Sequence, residues 1–198
     1  MMAADALEGE HRIIVAGSGG QGILTFCKLL CSAAVQEGRN VTYLPSYGPE
    51  VRSGTARCRV IISPEIIHSP LVEEPDSLIV FNQSSCDRFA RTLRPGGLLL
   101  LNSSAVEAQE AGAAEVLALP ATDLAAEMGS VKVANSILLG AFVSATGIVS
   151  EESCLDALTE HWGRRRADMA ELNVQALKRG AELVVEGAQA PLKGRKSV

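Results

Sequence analysis

Four glycines stand within six residues at Gly17-Ser18-Gly19-Gly20-Gln21-Gly22. They follow the short apolar run Ile13–Ala16 and precede a helix-like run from Ile23 to Val35. Glycines let the backbone turn sharply and leave no side chain between it and a ligand. A helix beginning there offers free N–H groups and a partial positive charge. That combination suits an anion, most often a phosphate. Gly17, Gly19 and Gly22 also match the dinucleotide fingerprint in spacing. A tight strand-to-helix turn without a ligand is the alternative, although four glycines exceed what a turn requires. A nicotinamide dinucleotide needs an acid at the end of the second strand, about 20 residues further on, for its ribose hydroxyls. Here that strand ends Thr42-Tyr43-Leu44-Pro45-Ser46, and the first acid after it is Glu50.

A second candidate is the loop Pro45-Ser46-Tyr47-Gly48-Pro49-Glu50-Val51-Arg52-Ser53-Gly54-Thr55. In an alternating α/β chain it leaves the same carboxyl edge of the sheet as the glycine loop, where ligands bind. Its prolines reduce the entropy lost on binding. Arg52 suits a bidentate contact to phosphate or carboxylate, and Ser53, the Gly54 N–H and Thr55 would add donors. A solvated surface arginine is the alternative. Asn82-Gln83-Ser84-Ser85 and Asn102-Ser103-Ser104 follow strands at that edge too; they read as helix caps first and ligand contacts second.

The elements that must hold these loops alternate between apolar strands and helical patterns, which predicts an α/β fold. We expect strands near Arg12–Ala16, Val41–Leu44, Ser77–Phe81, Leu98–Leu101 and Val116–Leu119. Ala56–Ser63 reads as an edge or antiparallel strand. Helices are expected over Gly22–Gln36 and Ser84–Leu93, with another between the last two strands. From about residue 121 the pattern is helical: Thr122 caps a helix to Met128, Asn135–Thr146 stops at Gly147, and Ser150 caps Glu151–His161. Met169–Glu186 has apolar residues at three- and four-residue spacing. The expected whole is one Rossmann-like three-layer domain, residues 1–187, with a mostly parallel sheet and a C-terminal helical segment. Residues 188–198 read as a mobile basic tail.

Composition narrows the function. The chain is 47% hydrophobic but only 4% aromatic, so its core is built from Leu, Ile, Val and Ala, as buried parallel strands require. A net charge of -5 argues against nucleic acid as the main partner. Positive charge is local, at Arg52, Arg57 and Arg59, at Arg164–Arg166, and in the tail at Lys193, Arg195 and Lys196. Met1–Glu10 is acidic without an apolar core, and Ile137–Val149 is too short and broken to span a bilayer. Five scattered cysteines, with no Cys-x-x-Cys, fit a reduced cytoplasmic chain better than a disulfide framework or metal site. Cys27 and Cys31 share a helical face but read as small buried residues. His11, His68 and His161 are isolated, and no catalytic residue or metal ligand is assigned.

The motifs Gly17–Ile23 and Leu44–Ala56 resemble the gamma subunit of the 2-oxoacid:ferredoxin oxidoreductases. Pro95-Gly96-Gly97, Ala118-Leu119-Pro120-Ala121-Thr122 and Val133-Ala134-Asn135 extend the resemblance over roughly Ile13–Gly180. Gly54-Thr55-Ala56 looks more like the 2-oxoglutarate type than the pyruvate type. The resemblance implies oxidative decarboxylation of a 2-oxoacid with coenzyme A to acyl-CoA and carbon dioxide, with electrons passed to ferredoxin. It implies alpha and beta partner subunits, and in some enzymes a ferredoxin-like delta subunit, that carry thiamine diphosphate and iron–sulfur clusters. This chain would help bind coenzyme A through Gly17, Ser18, Gly19, Gly20, Gln21, Gly22, Tyr47, Arg52, Ser53, Gly54, Thr55 and Asn82. It would not be catalytic alone. A free-standing nicotinamide- or flavin-dependent oxidoreductase and a purely structural subunit are the competing readings.

Overall fold

Strand β1 (His11–Ser18) is buried on both faces from Ile13 to Gly17, as a strand enclosed between layers must be. The computed structural model describes residues 9–46, 55–107, 114–163 and 167–187. Helix α1 (Ile23–Gln36) returns the chain to β2 (Asn40–Ser46), and β3 (Thr55–Ser63) runs back against it. Then follow β4 (Ser77–Val80), α2 (Gln83–Phe89), a short 3-10 turn, β5 (Leu98–Asn102) and β6 (Glu115–Leu119). Helices α3 (Ala121–Glu127), α4 (Ala134–Thr146), α5 (Glu151–Trp162) and α6 (Ala167–Val185) complete the chain.

The six strands lie in the order β2-β3-β1-β4-β5-β6. β1, β4, β5 and β6 are parallel neighbours, and β3 is antiparallel to both β1 and β2. Five strands therefore point one way and β3 alone opposes them. The α/β fold with a mostly parallel sheet expected from the sequence is the one formed. The strand Ala56–Ser63 is antiparallel as one of its two readings had it, but it is internal, with β2 outside it at the edge. Pro45 is tolerated within β2 because an edge strand need not donate every N–H.

One face of the sheet carries most of the core: Ile13, Val15, Cys58, Val60 and Ile79 meet α1, α4, α5 and α6. The other face is thinner, with Ile14, Ala16, Leu78, Val80, Leu99 and Leu101 under α2 and the loop around Val72. The helical part is thus packed on the sheet's thicker side. α4 and α6 touch through their backbones: a Cβ on Gly140 would strike the Leu177 carbonyl, and one on Gly180 the Ile137 carbonyl. Buried Ser136 donates to Asn173 Oδ1 at 2.7 Å across the same pair.

Two boundaries differ from expectation for local reasons. Thr122 does not cap α3, whose N-cap is Pro120 without a side-chain bond. Instead Asn102 Oδ1 accepts from the Thr122 N–H at 3.2 Å while its Nδ2 donates to Thr122 Oγ1 at 2.8 Å. Residues 103–107 form a turn rather than the start of a helix, and 108–113 lie outside the described residues. Ser150 caps α5 as expected, its Oγ accepting from the Ser153 N–H at 3.1 Å.

Candidate functional site

The glycine loop leaves β1 at the carboxyl edge and enters α1 through Gly22, its N-cap, with φ 79°. Its four glycines divide into two kinds. A Cβ on Gly17 would sit 2.7 Å from Gln21 Oε1 and 2.8 Å from Phe81 Cβ, so packing alone demands glycine there. Gly22 combines positive φ with Asn135 Cγ 2.8 Å from where its Cβ would be. Gly19 and Gly20 meet nothing within 4 Å and are exposed, and of the two only Gly20, at φ 88°, is held to glycine by its backbone. The open half of the loop is the half that a ligand can approach.

The polar side chains of the loop face one another. Gln21 Oε1 accepts from the Ser18 N–H at 2.6 Å, and Gln21 Nε2 donates to the Phe81 carbonyl at 3.3 Å. Asn82 Nδ2 donates to Ser18 Oγ at 2.7 Å, while Asn82 Oδ1 caps α2 by accepting from the Ser85 N–H at 2.9 Å. The strand exits after β1 and β4 are thereby tied into one rigid turn. Ser18, Gln21 and Asn82 shape the loop. The groups it presents outward are the backbone at Gly19 and Gly20 and the first turn of α1. That turn has no acidic residue and no side-chain cap, so the helix itself supplies nothing that neutralises its partial positive charge.

The ends of β2 and β3 lie beside this loop, since Thr55 pairs with Ser18 and Ser46 with Arg57. Tyr47, Arg52, Ser53 and Gly54 lie outside the described residues, as do Glu50, Arg164–Arg166 and the basic tail. Of Thr55 only the backbone in β3 is described. Arg57 and Arg59, adjacent to that loop in sequence, alternate onto the α2 side of the sheet, away from α1.

Asn135 is a residue that spacing did not single out. It is buried in the first turn of α4 and points its Nδ2 at the Gly22 carbonyl at 3.5 Å. Among the described residues its Oδ1 has no partner. An amide opening an otherwise apolar helix was the available signal. The cysteines are structural. Burial pushes the Cys27 thiol well above its ordinary value, helped by contact with Cys58, and pushes Cys31 up to about 12. Cys58 on β3 thus joins the α1 pair, which no sequence spacing announced. Among the described residues no group of three or more His, Cys, Asp or Glu could hold a metal ion, and no helix is long and apolar enough to cross a membrane.

Residues 12–183 match the family model for pyruvate ferredoxin/flavodoxin oxidoreductase. The chain belongs to this family. Among relatives in the oxidoreductase family, the ketoisovalerate oxidoreductase subunit VorA of Methanothermobacter marburgensis is 38% identical over 175 residues, 87% of this chain and 36% of that protein. The chain therefore spans about a third of the length of the VorA relatives, the share for a second being 38%. The 2-oxoglutarate synthase subunit KorC of Methanothermobacter thermautotrophicus is 32% identical over 191 residues, 92% of this chain and 100% of that protein. The gamma subunit of the keto/oxoacid ferredoxin oxidoreductase of Geobacter sulfurreducens PCA superposes with TM-score 0.78 at 30% identity, covering 89% of this chain and 99% of that one. The 2-oxoglutarate:ferredoxin oxidoreductase of Magnetococcus marinus, solved with 2-oxoglutarate, coenzyme A and succinyl-CoA bound, shares the fold at TM-score 0.83 and 22% identity, over 90% of this chain and 32% of that one.

Proposed function

We propose that this chain is the gamma subunit of a 2-oxoacid:ferredoxin oxidoreductase and supplies part of its coenzyme A site. The observation that carries the reading is the open pair Gly19 and Gly20 set before an uncapped helix end. Among the described residues no side chain comes within 4 Å of a Cβ placed on either glycine, which suits approach of a phosphate to the helix end. Residues Gly17–Gly22 and Asn82 would form the floor, and Tyr47 with Arg52–Thr55 would approach from the neighbouring strand exit. The partner subunits would hold thiamine diphosphate and the clusters and perform the decarboxylation and electron transfer to ferredoxin. This chain's own contribution is to bind and orient the anionic substrate by preorganised N–H groups. Residues 1–187 would act as one domain, in the cytoplasm.

The layout of β2 works against the nicotinamide alternative. In dinucleotide-binding folds the second strand lies directly beside the first and brings its acid to the ribose; here antiparallel β3 intervenes. A purely structural loop leaves Gly19 without a reason, since a Cβ there would meet nothing within 4 Å and, unlike Gly20 at φ 88°, it has no positive φ.

We propose 2-oxoglutarate as the substrate, from Gly54-Thr55-Ala56 and the KorC relatives. A branched 2-oxoacid is the second reading, favoured by the higher identity to VorA. Turnover of the assembled enzyme on 2-oxoglutarate and on ketoisovalerate decides between them.

Gly19→Asp tests the site. The carboxylate enters open space, so thermal stability should stay within about 0.5 kcal/mol of wild type. In the enzyme assembled with its partners the apparent KM for coenzyme A should rise at least about tenfold, through like-charge repulsion. An unchanged KM would remove the glycine loop from the coenzyme A site. Tight NADH binding by the isolated chain, with no effect of coenzyme A, would replace the whole reading.

A further inference from the structure

The β2–β3 end of the sheet has one face covered by a helix and one that is not. α1 lies on the first, over Val41, Tyr43, Cys58 and Val60. The opposite face carries Thr42, Leu44 and Ser46 of β2 beside Arg57 and Arg59 of β3, while Ile61 further along β3 is buried with Val72. The helix on that side, α2, packs on β1 and β4. Its Phe89 ring lies 5.7 Å from the Arg57 guanidinium of β3. Arg57 also donates from Nε to Ser46 Oγ at 3.0 Å, so it is anchored.

Arg59 is different. It stands mid-strand, directly across from Leu44 on one side and Ile14 on the other. Its Nε is buried and, among the described residues, has no hydrogen-bond partner; Thr42 Oγ1, diagonally across on the same face, is in the same condition. Among the described residues no carboxylate forms an ion pair with Arg59. Neither strand carries an acid on this face. A half-buried guanidinium without an anion is costly. Beside it Leu44 is 37% exposed, and β2 is the edge strand of the described sheet.

We propose that this face docks an acidic segment of a catalytic partner subunit, with a partner carboxylate on Arg59 and an apolar partner side chain on Leu44. The inference rests on the chain being a subunit of a larger oxidoreductase. Position favours a polypeptide over a phosphate of coenzyme A. Ser18 at the carboxyl edge pairs with Thr55, whereas Arg59 pairs with Ile14, four residues further along, roughly 13 Å at about 3.3 Å per residue. Arg59 stands in a sheet face next to the edge strand β2.

Two variants test it in the full chain co-expressed with its catalytic subunits. Arg59→Met removes a guanidinium that has no ion pair among the described residues. Leu44→Glu sets a carboxylate of this chain directly across from Arg59 and so occupies it internally. Both should leave the melting temperature of the isolated chain unchanged or higher. Both should weaken assembly about tenfold or more and flatten its dependence on salt between low and moderate ionic strength. Wild-type affinity in both variants overturns the proposal, as does a loss of coenzyme A affinity with assembly intact. A wild-type chain that forms a homodimer through this face, lost on Leu44→Glu, also overturns it. If the wild type itself does not join the catalytic subunits, the proposed function falls and this inference with it. If it joins and both variants match it, only this inference falls.

Discussion

His11 enters the sheet at its amino edge, with Nε2 2.9 Å from Ser77 Oγ. Burial lowers its pKa from the ordinary value near 6.5; nearby Asp76 opposes the shift and Arg94 adds to it. A histidine whose folded value lies below its unfolded one binds more protons when unfolded. Its contribution to stability is complete above about 6.5 and drains away as the pH falls through the folded value. Urea unfolding at pH 7.5 and 5.5 should show lower stability in acid, and His11→Gln should reduce that difference. An equal slope in the variant would show that His11 is not the titrating group. Asp76 gives the same edge its rigidity: it accepts from the Arg12 N–H at 2.5 Å and pairs with Arg94 Nη1 at 2.6 Å. Nothing in the local sequence pattern marked Asp76, because its partners come from 64 residues before it and from the turn after the 3-10 segment. At the glycine loop the residue types were legible but their division was not. Which glycines answer to packing and which face open space depends on Phe81 and Asn135, both distant in sequence.

At the scale of elements, α4 and α6 form the tightest pair in the helical layer. Their backbones meet at Gly140 and Gly180. Gly180→Ala would gain helix propensity in isolation but would force the helices apart, and overpacking of this kind costs about 1–3 kcal/mol or more. Differential scanning calorimetry should show a marked fall in the melting temperature; a rise would mean that the pair can separate without loss. Most strands and helices were readable because their periods are strong. The runs in β4 and β5 are fully apolar, and α6 keeps its three- and four-residue spacing. The place of β3 was less legible. Alternation along Ala56–Ser63 indicated antiparallel pairing, but whether a strand ends at the edge or inside depends on β2 folding outward. That choice is settled by Val41 and Tyr43 finding α1. Thr122 looks like the cap of α3 in sequence, whereas in the fold its own N–H is taken by Asn102, 20 residues earlier.

At the scale of the whole molecule, one face of the sheet carries a thick helical layer and the other a thin one, with the glycine loop on the rim between them. The proposed binding at that rim would need no rearrangement of the core, since Gly19 and Gly20 are already exposed. The seam of the architecture is β1. It alone joins an antiparallel neighbour to a parallel one, β3 on one flank and β4 on the other. The hairpin and the parallel run can each loosen from its own free border, but neither can do so through the middle. In deuterium the backbone amides of Ile13–Ala16 should therefore be the last to exchange, outlasting those of β2 and β6, and they should report the global opening of the chain.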